Sequence, residues 1–164
     1  MADLARILTR LIEHKFEFVI VGGFAALGHG STYTTFDVDV CAPCEMADLE
    51  NLSRLHAALA DLHPKHRMVP YDRPLVFPPR NMEETGNIYL KTDLGQIDVL
   101  GRIEVGDYPF VLAHSVLLDL PFGTCRVLDL ATLIRSKKTT ARPKDLLVAH
   151  QLAAILEATQ PPQL

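Results

Sequence analysis

Tryptophan is absent from the 164 residues, aromatic residues make up 7%, and there are only three cysteines. An odd and small number of cysteines excludes the disulfide framework that holds small secreted domains together, and it agrees with a reducing compartment. Cys41-x-x-Cys44 has no second Cys-x-x-Cys to complete it and Cys125 is isolated, so no zinc or redox centre is expected. No apolar run approaches the ~20 residues needed to span a bilayer. An excess of positive charge is also missing: the net charge of −4 argues against sequence-independent binding of DNA or RNA through a broad basic face. The opening "MADLARILTRLIEHKFEF" scatters charges through its apolar pattern, which predicts an amphipathic helix and not a secretory signal, and a cytoplasmic location.

The chain does have a hydrophobic fraction of 48%, enough apolar residues for one full core, and the length predicts a single domain over 1–164. Leu4, Ile7, Leu8, Leu11 and Ile12 recur at helical spacing up to His14. "FEFVIVGG" follows as a strand, "FAALGHG" as a brief helix starting at the glycine pair, and "TYTTFDVDVCA" as a second strand stopped by Pro43. A leucine pattern predicts a helix over 46–62. The proline-rich segment 63–86 reads as a loop or interrupted edge strands. "NIYLKTDLGQIDVLG" predicts two strands joined at "TDLG", and "SVLLDLPFGTCRVLDL" a hairpin turning at "PFGT". Two helices close the chain over 130–158, the first capped by Asp129 and the second with Pro143 in its first turn. This order predicts an α/β (α+β) domain with a small mixed central sheet flanked by helices.

"FDVDV" places two charges in a strand that is otherwise apolar. Side chains alternate faces along a strand, so Asp37 and Asp39 point the same way while Phe36, Val38 and Val40 are expected on the core side. Two carboxylates this close repel unless a cation holds both ionised, and hard oxygen ligands suit magnesium or manganese. "GQIDVLG" offers a third, Asp98, set between Ile97 and Val99. Aspartate is depleted in strands, so three of them in this setting form the candidate catalytic and metal-ligating group.

Gly22-Gly23 follows a strand and opens a helix, where bare amides and the helix N-terminus favour negative charge such as a triphosphate. The spacings of a dinucleotide fingerprint and of a P-loop are both missing. Near the C-terminus "IRSKKTTARPK" gathers Arg135, Lys137, Lys138, Arg142 and Lys144.

Taken together, "VIVGGFAALGHGSTYTTFDVDV" resembles the nucleotidyltransferase superfamily, the polymerase-β-like fold: a strand, a Gly-Gly or Gly-Ser turn, a short helix, an Asp-x-Asp strand, and a third acidic residue on a later strand. "LDLATLIRSKKTTARPKDLLVAHQL" is similar to the small bacterial branch that includes abortive-infection-type toxins. The resemblance implies that Asp37 and Asp39 hold two metal ions, Mg2+ or Mn2+, and that Asp98 holds one and helps activate the attacking hydroxyl. It further implies nucleotide binding by Gly22, Gly23, Ser31, Lys137, Lys144 and Asp145, with Arg142 beside them. The expected reaction moves a nucleoside monophosphate from a nucleoside triphosphate to an acceptor hydroxyl on RNA (tRNA among the candidates), a protein or a small molecule, releasing pyrophosphate. A cognate antitoxin is an expected partner and a membrane is not. Tyr33 is a departure, because that branch frequently has arginine there. Two rival readings are a nucleotide-binding or regulatory protein that keeps the fold without catalysis, and a metal-dependent phosphohydrolase, for which no histidine-aspartate pattern is seen.

Overall fold

The computed structural model describes residues 3–161. α1 (Leu4–Glu13) is amphipathic, as its spacing predicts. It buries Ile7, Leu8 and Leu11, and the Asp3 carboxylate caps it by accepting from the Arg6 N–H at 3.2 Å. β1 is only Val19–Val21, all three residues buried. The longer strand expected from "FEFVIVGG" is not formed. Phe16 and Phe18 stack on each other ahead of it, with ring centroids 5.8 Å apart, and the glycine pair already belongs to α2 (Gly22–Gly28).

β2 is Asp37–Cys41, so residues 32–36, expected in this strand, lie outside it. α3 (Leu49–Leu59) starts three residues later than the leucine pattern suggests. Residues 45–48 form a turn instead, in which the Asp48 carboxylate accepts from the Glu45 N–H at 2.8 Å. One turn of 3-10 helix, Ala60–Leu62, completes the helical stretch. The proline-rich segment contributes a two-residue edge strand, β3 (Lys65–His66), and a 3-10 turn, Met82–Glu84.

β4 (Asn87–Thr92) and β5 (Gly95–Leu100) form the hairpin read from "TDLG". A small ladder of β6 (Arg102–Ile103) and β7 (Gly106–Asp107) leads into α4 (Tyr108–Ala113), which the sequence reading passed over. Its signal was present, since Asp107 caps the helix and Pro109 occupies its first turn. β8 (Ser115–Leu120) and β9 (Gly123–Leu128) make the second hairpin. α5 (Leu130–Thr140) is capped by Asp129, whose carboxylate accepts from the Thr132 N–H at 2.7 Å, and α6 (Pro143–Thr159) follows.

The main sheet is mixed and seven-stranded, in the order β3-β4-β5-β2-β1-β9-β8. β2 runs parallel to β5 and antiparallel to β1, and β1 runs parallel to β9. Val38, Val40, Ile97 and Val99 are fully buried. α1 lies against β2 and β5 and packs on α3, whereas α2 touches β2 and α5, and α5 packs on α6. Leu133, Ile134, Val148 and Leu152 of the last two helices belong to the same apolar cluster. No helix among the described residues is long and apolar enough to cross a membrane.

Candidate active site

The parallel register of β2 and β5 sets Asp39 beside Asp98 and Asp37 beside Gln96. Paired residues of adjacent strands share a face, so the three carboxylates emerge together, opposite the valines and isoleucine that fill the core. Each offers an oxygen within 4.8 Å of the other two, and all three residues are half-buried. Burial above all, then the charges of Asp37 and Asp98, pushes the Asp39 carboxyl up to about 7. Burial also raises Asp98, against the opposing effect of Arg67. Three hard oxygen donors whose mutual repulsion the neighbouring cations only partly offset form a group suited to a divalent cation.

Arg67, which follows β3, donates from Nη2 to Asp98 Oδ1. The sequence reading missed this residue. The pair spans 31 positions and is brought together only by the fold of the proline-rich segment. The guanidinium also lies 5.8 Å from the centroid of Tyr89, the cross-strand partner of Asp98.

The glycine pair is dictated by close approach. Gly22 has φ +65°, and a Cβ there would overlap Asp39 Oδ2; a Cβ on Gly23 would lie 2.7 Å from Thr35 Oγ1. Thr35 in turn donates from Oγ1 to the Asp37 carbonyl at 3.2 Å. Both glycines therefore let the segment before β2 fold onto the start of α2, and both line the cleft.

The same cleft, of about 530 Å³, is also lined by cationic residues from α5, α6 and the junction between them. Asp145 is their hub, at 4% exposure. Its carboxylate accepts from Lys137 Nζ at 3.0 Å, Thr140 Oγ1 at 2.8 Å and Arg142 Nε at 2.6 Å. Burial works to raise the Asp145 carboxyl, but the bonds from Arg142, Lys137 and Thr140 outweigh it and hold the group down at about 2. Lys137, Arg142, Lys144 and Asp145 all line the cleft, with Tyr33, Tyr89 and Glu104. Lys144 donates from Nζ to the Thr34 carbonyl at 2.8 Å and lies 5.8 Å from the centroid of the Phe36 ring.

Ser31 lies elsewhere: it is buried, and its hydroxyl donates to Gln151 Oε1 at 2.8 Å and accepts from the Tyr33 N–H at 3.3 Å. Phe36 corrects an expectation, because it is 76% exposed and not on the core face. The pairing of β2 with β5 begins at Asp37 and its pairing with β1 at Asp39, so Phe36 precedes both ladders and nothing fixes its side chain inward. His29 contacts the Leu128 carbonyl through Nε2 at 2.7 Å, tying α2 to β9. Cys41, Cys44 and Cys125 are buried and free; burial pushes the thiols of Cys41 and Cys44 up to about 12, so neither offers a thiolate.

No family model matches the chain, and no curated protein matches it in sequence. Solved structures do match. A protein of Thermotoga maritima, provisionally assigned as a nucleotidyltransferase, is similar with a TM-score of 0.54 over 93% of this chain and 89% of its own, at 17% identity. An antigenic nucleotidyltransferase-like protein of Paracoccidioides brasiliensis is similar with a TM-score of 0.58 over 98% of this chain and 78% of its own, at 14% identity. The fold is that of the nucleotidyltransferases. At these identities the likeness is one of fold, and the acidic cluster is this chain's own evidence of chemistry.

Proposed function

We propose that the protein is a metal-dependent nucleotidyltransferase that moves a nucleoside monophosphate from a nucleoside triphosphate to an acceptor hydroxyl. The observation that carries this reading is that three convergent carboxylates and the cations Lys137, Arg142 and Lys144 line one cleft.

In this reading Asp37, Asp39 and Asp98 hold Mg2+ or Mn2+. Bound there, the divalent ion neutralises phosphate charge and eases deprotonation of the acceptor hydroxyl. Asp98 takes the hydroxyl proton. The acceptor oxygen bonds to the α-phosphorus, the bond from that phosphorus to the bridging oxygen breaks, and pyrophosphate leaves with the electron pair. Lys137 and Lys144 neutralise the triphosphate, and Arg142 adds to the same field. Gly22 and Gly23 leave open backbone beside the phosphates. Asp145 serves by fixing Lys137 and Arg142, and Ser31 by shaping the turn that carries Tyr33. Most of the rate comes from positioning and fixed charge.

The similarity of the C-terminal element to the abortive-infection branch supports placing the protein there, with tRNA or another protein as acceptor and an antitoxin as partner. Incubating the protein with α-labelled triphosphates, Mg2+ or Mn2+, and a pool of RNA, protein and small-molecule acceptors tests the reading. Label should enter one acceptor class, and Asp37→Ala should abolish it. Triphosphate binding that is unchanged by Asp37→Ala, with no acceptor labelled, would leave a nucleotide-binding protein without transfer.

A further inference from the structure

Arg67 is a charged residue that the mechanism above does not use, yet it contacts one of the three carboxylates. Its Nη2 donates to Asp98 Oδ1, and the two side chains are 26% and 15% exposed. It does not line the cleft, whereas Asp98 does. Anything Arg67 does to the chemistry therefore passes through Asp98.

The arginine is held from several sides. Its N–H donates to the Tyr89 carbonyl at 2.9 Å, its Nε donates to the Leu90 carbonyl at 3.3 Å, and its cation faces the Tyr89 ring. The segment after it is pinned as well. The His66 N–H donates to the Arg73 carbonyl at 2.8 Å, the Asp72 N–H returns to the His66 carbonyl at 3.0 Å, and the buried Glu84 pairs with Arg73 at 3.3 Å. A guanidinium so fixed is an oriented fork and not a mobile counterion.

We infer that Arg67 is a positioning residue: it occupies Oδ1 of Asp98, leaving the other oxygen for the metal and the acceptor hydroxyl, and it moderates the negative field of the three carboxylates. This rests on the metal-binding reading of the cluster. A consequence separates it from a merely structural ion pair. Removing the cation strengthens the field that attracts a divalent ion while releasing the carboxylate that must be aimed, so metal affinity and turnover change in opposite directions.

The test compares wild type, Arg67→Gln, Arg67→Lys, Asp98→Asn and the Arg67→Gln/Asp98→Asn double variant by Mn2+ titration and by nucleotide transfer. Arg67→Gln should bind Mn2+ at least threefold more tightly and turn over at least tenfold more slowly at saturating metal. Arg67→Lys should return the affinity to that of wild type, and the tightening should vanish in the Asp98→Asn background. Affinity and turnover that are both unchanged, or that fall together with thermal stability, overturn the inference. If wild type binds Mn2+ but transfers nothing, the transfer reading fails and the Mn2+ arm alone judges Arg67. If wild type binds no Mn2+, both fall.

Discussion

Gly22 and Asp39 occupy one space: the hydrogen on Gly22 faces the Asp39 carboxylate, and a Cβ in its place would overlap Oδ2 and lie 3.0 Å from the aspartate Cβ. The backbone at Gly22 also has φ +65°, which side chains disfavour by roughly 1–3 kcal/mol. Gly22→Ala should therefore cost about 2–4 kcal/mol in all and lower the melting temperature by roughly 5–12 °C. It should also displace Asp39, so that Mn2+ no longer raises the melting temperature of the variant. A melting curve with and without Mn2+ reads both effects.

The carboxylate that Gly22 accommodates strains the metal-free protein. Asp39 is pushed up to about 7 by burial and by its acidic neighbours, so its folded-state pKa lies above the unfolded value. Its contribution to stability is accordingly full below the unfolded pKa and lost as pH rises through 7. Asp39→Asn removes that loss. At pH 8 in chelator the variant should be more stable than wild type by roughly 1–3 kcal/mol, and the gap should narrow as pH falls below 7 and close only below about pH 4. Adding Mn2+ should stabilise wild type and not the variant. Denaturant titrations between pH 8 and pH 4 measure this.

Asp145 should behave in the opposite way. Held down at about 2, it contributes stability that is present above the unfolded pKa and disappears as pH falls through about 2. Asp145→Asn leaves Lys137, whose side chain is only 12% exposed, without its charge partner. The expected cost is about 3 kcal/mol at pH 7, most of it from Lys137 because Arg142 is 75% exposed. The difference from wild type should shrink between pH 4 and pH 2, and triphosphate binding should weaken as the cationic group loosens. Chemical denaturation across pH, with triphosphate binding measured at pH 7, checks both.

The sequence made the acidic cluster legible because its signal is local: Asp37, Asp39 and Asp98 each alternate with core residues, and period-2 alternation needs no knowledge of neighbours. The hairpins at 92–95 and 120–123 and the Asp129 cap were legible for the same reason. Phe36 was misread because alternation says nothing about where a ladder ends, and the pairing of β2 with its neighbours begins only at Asp37. The start of α3 was lost to Asp48, which folds residues 45–48 into a turn before the leucine pattern takes hold. Arg67 left no trace because its partner is set by a proline-rich segment whose path no periodicity encodes. The glycine pair was seen, but a second demand on it was not: contacts with Asp39 and Thr35 that exist only once β2 has folded against α2.

The most direct test of the central claim is a paired incubation with α-labelled and γ-labelled triphosphate, Mg2+ and acceptor pool, run with wild type and Asp39→Asn. Wild type should place the α-label on an acceptor and release the γ-label as pyrophosphate, and Asp39→Asn should do neither. Release of the γ-label as inorganic phosphate, or α-label transfer that survives Asp39→Asn, would contradict the account.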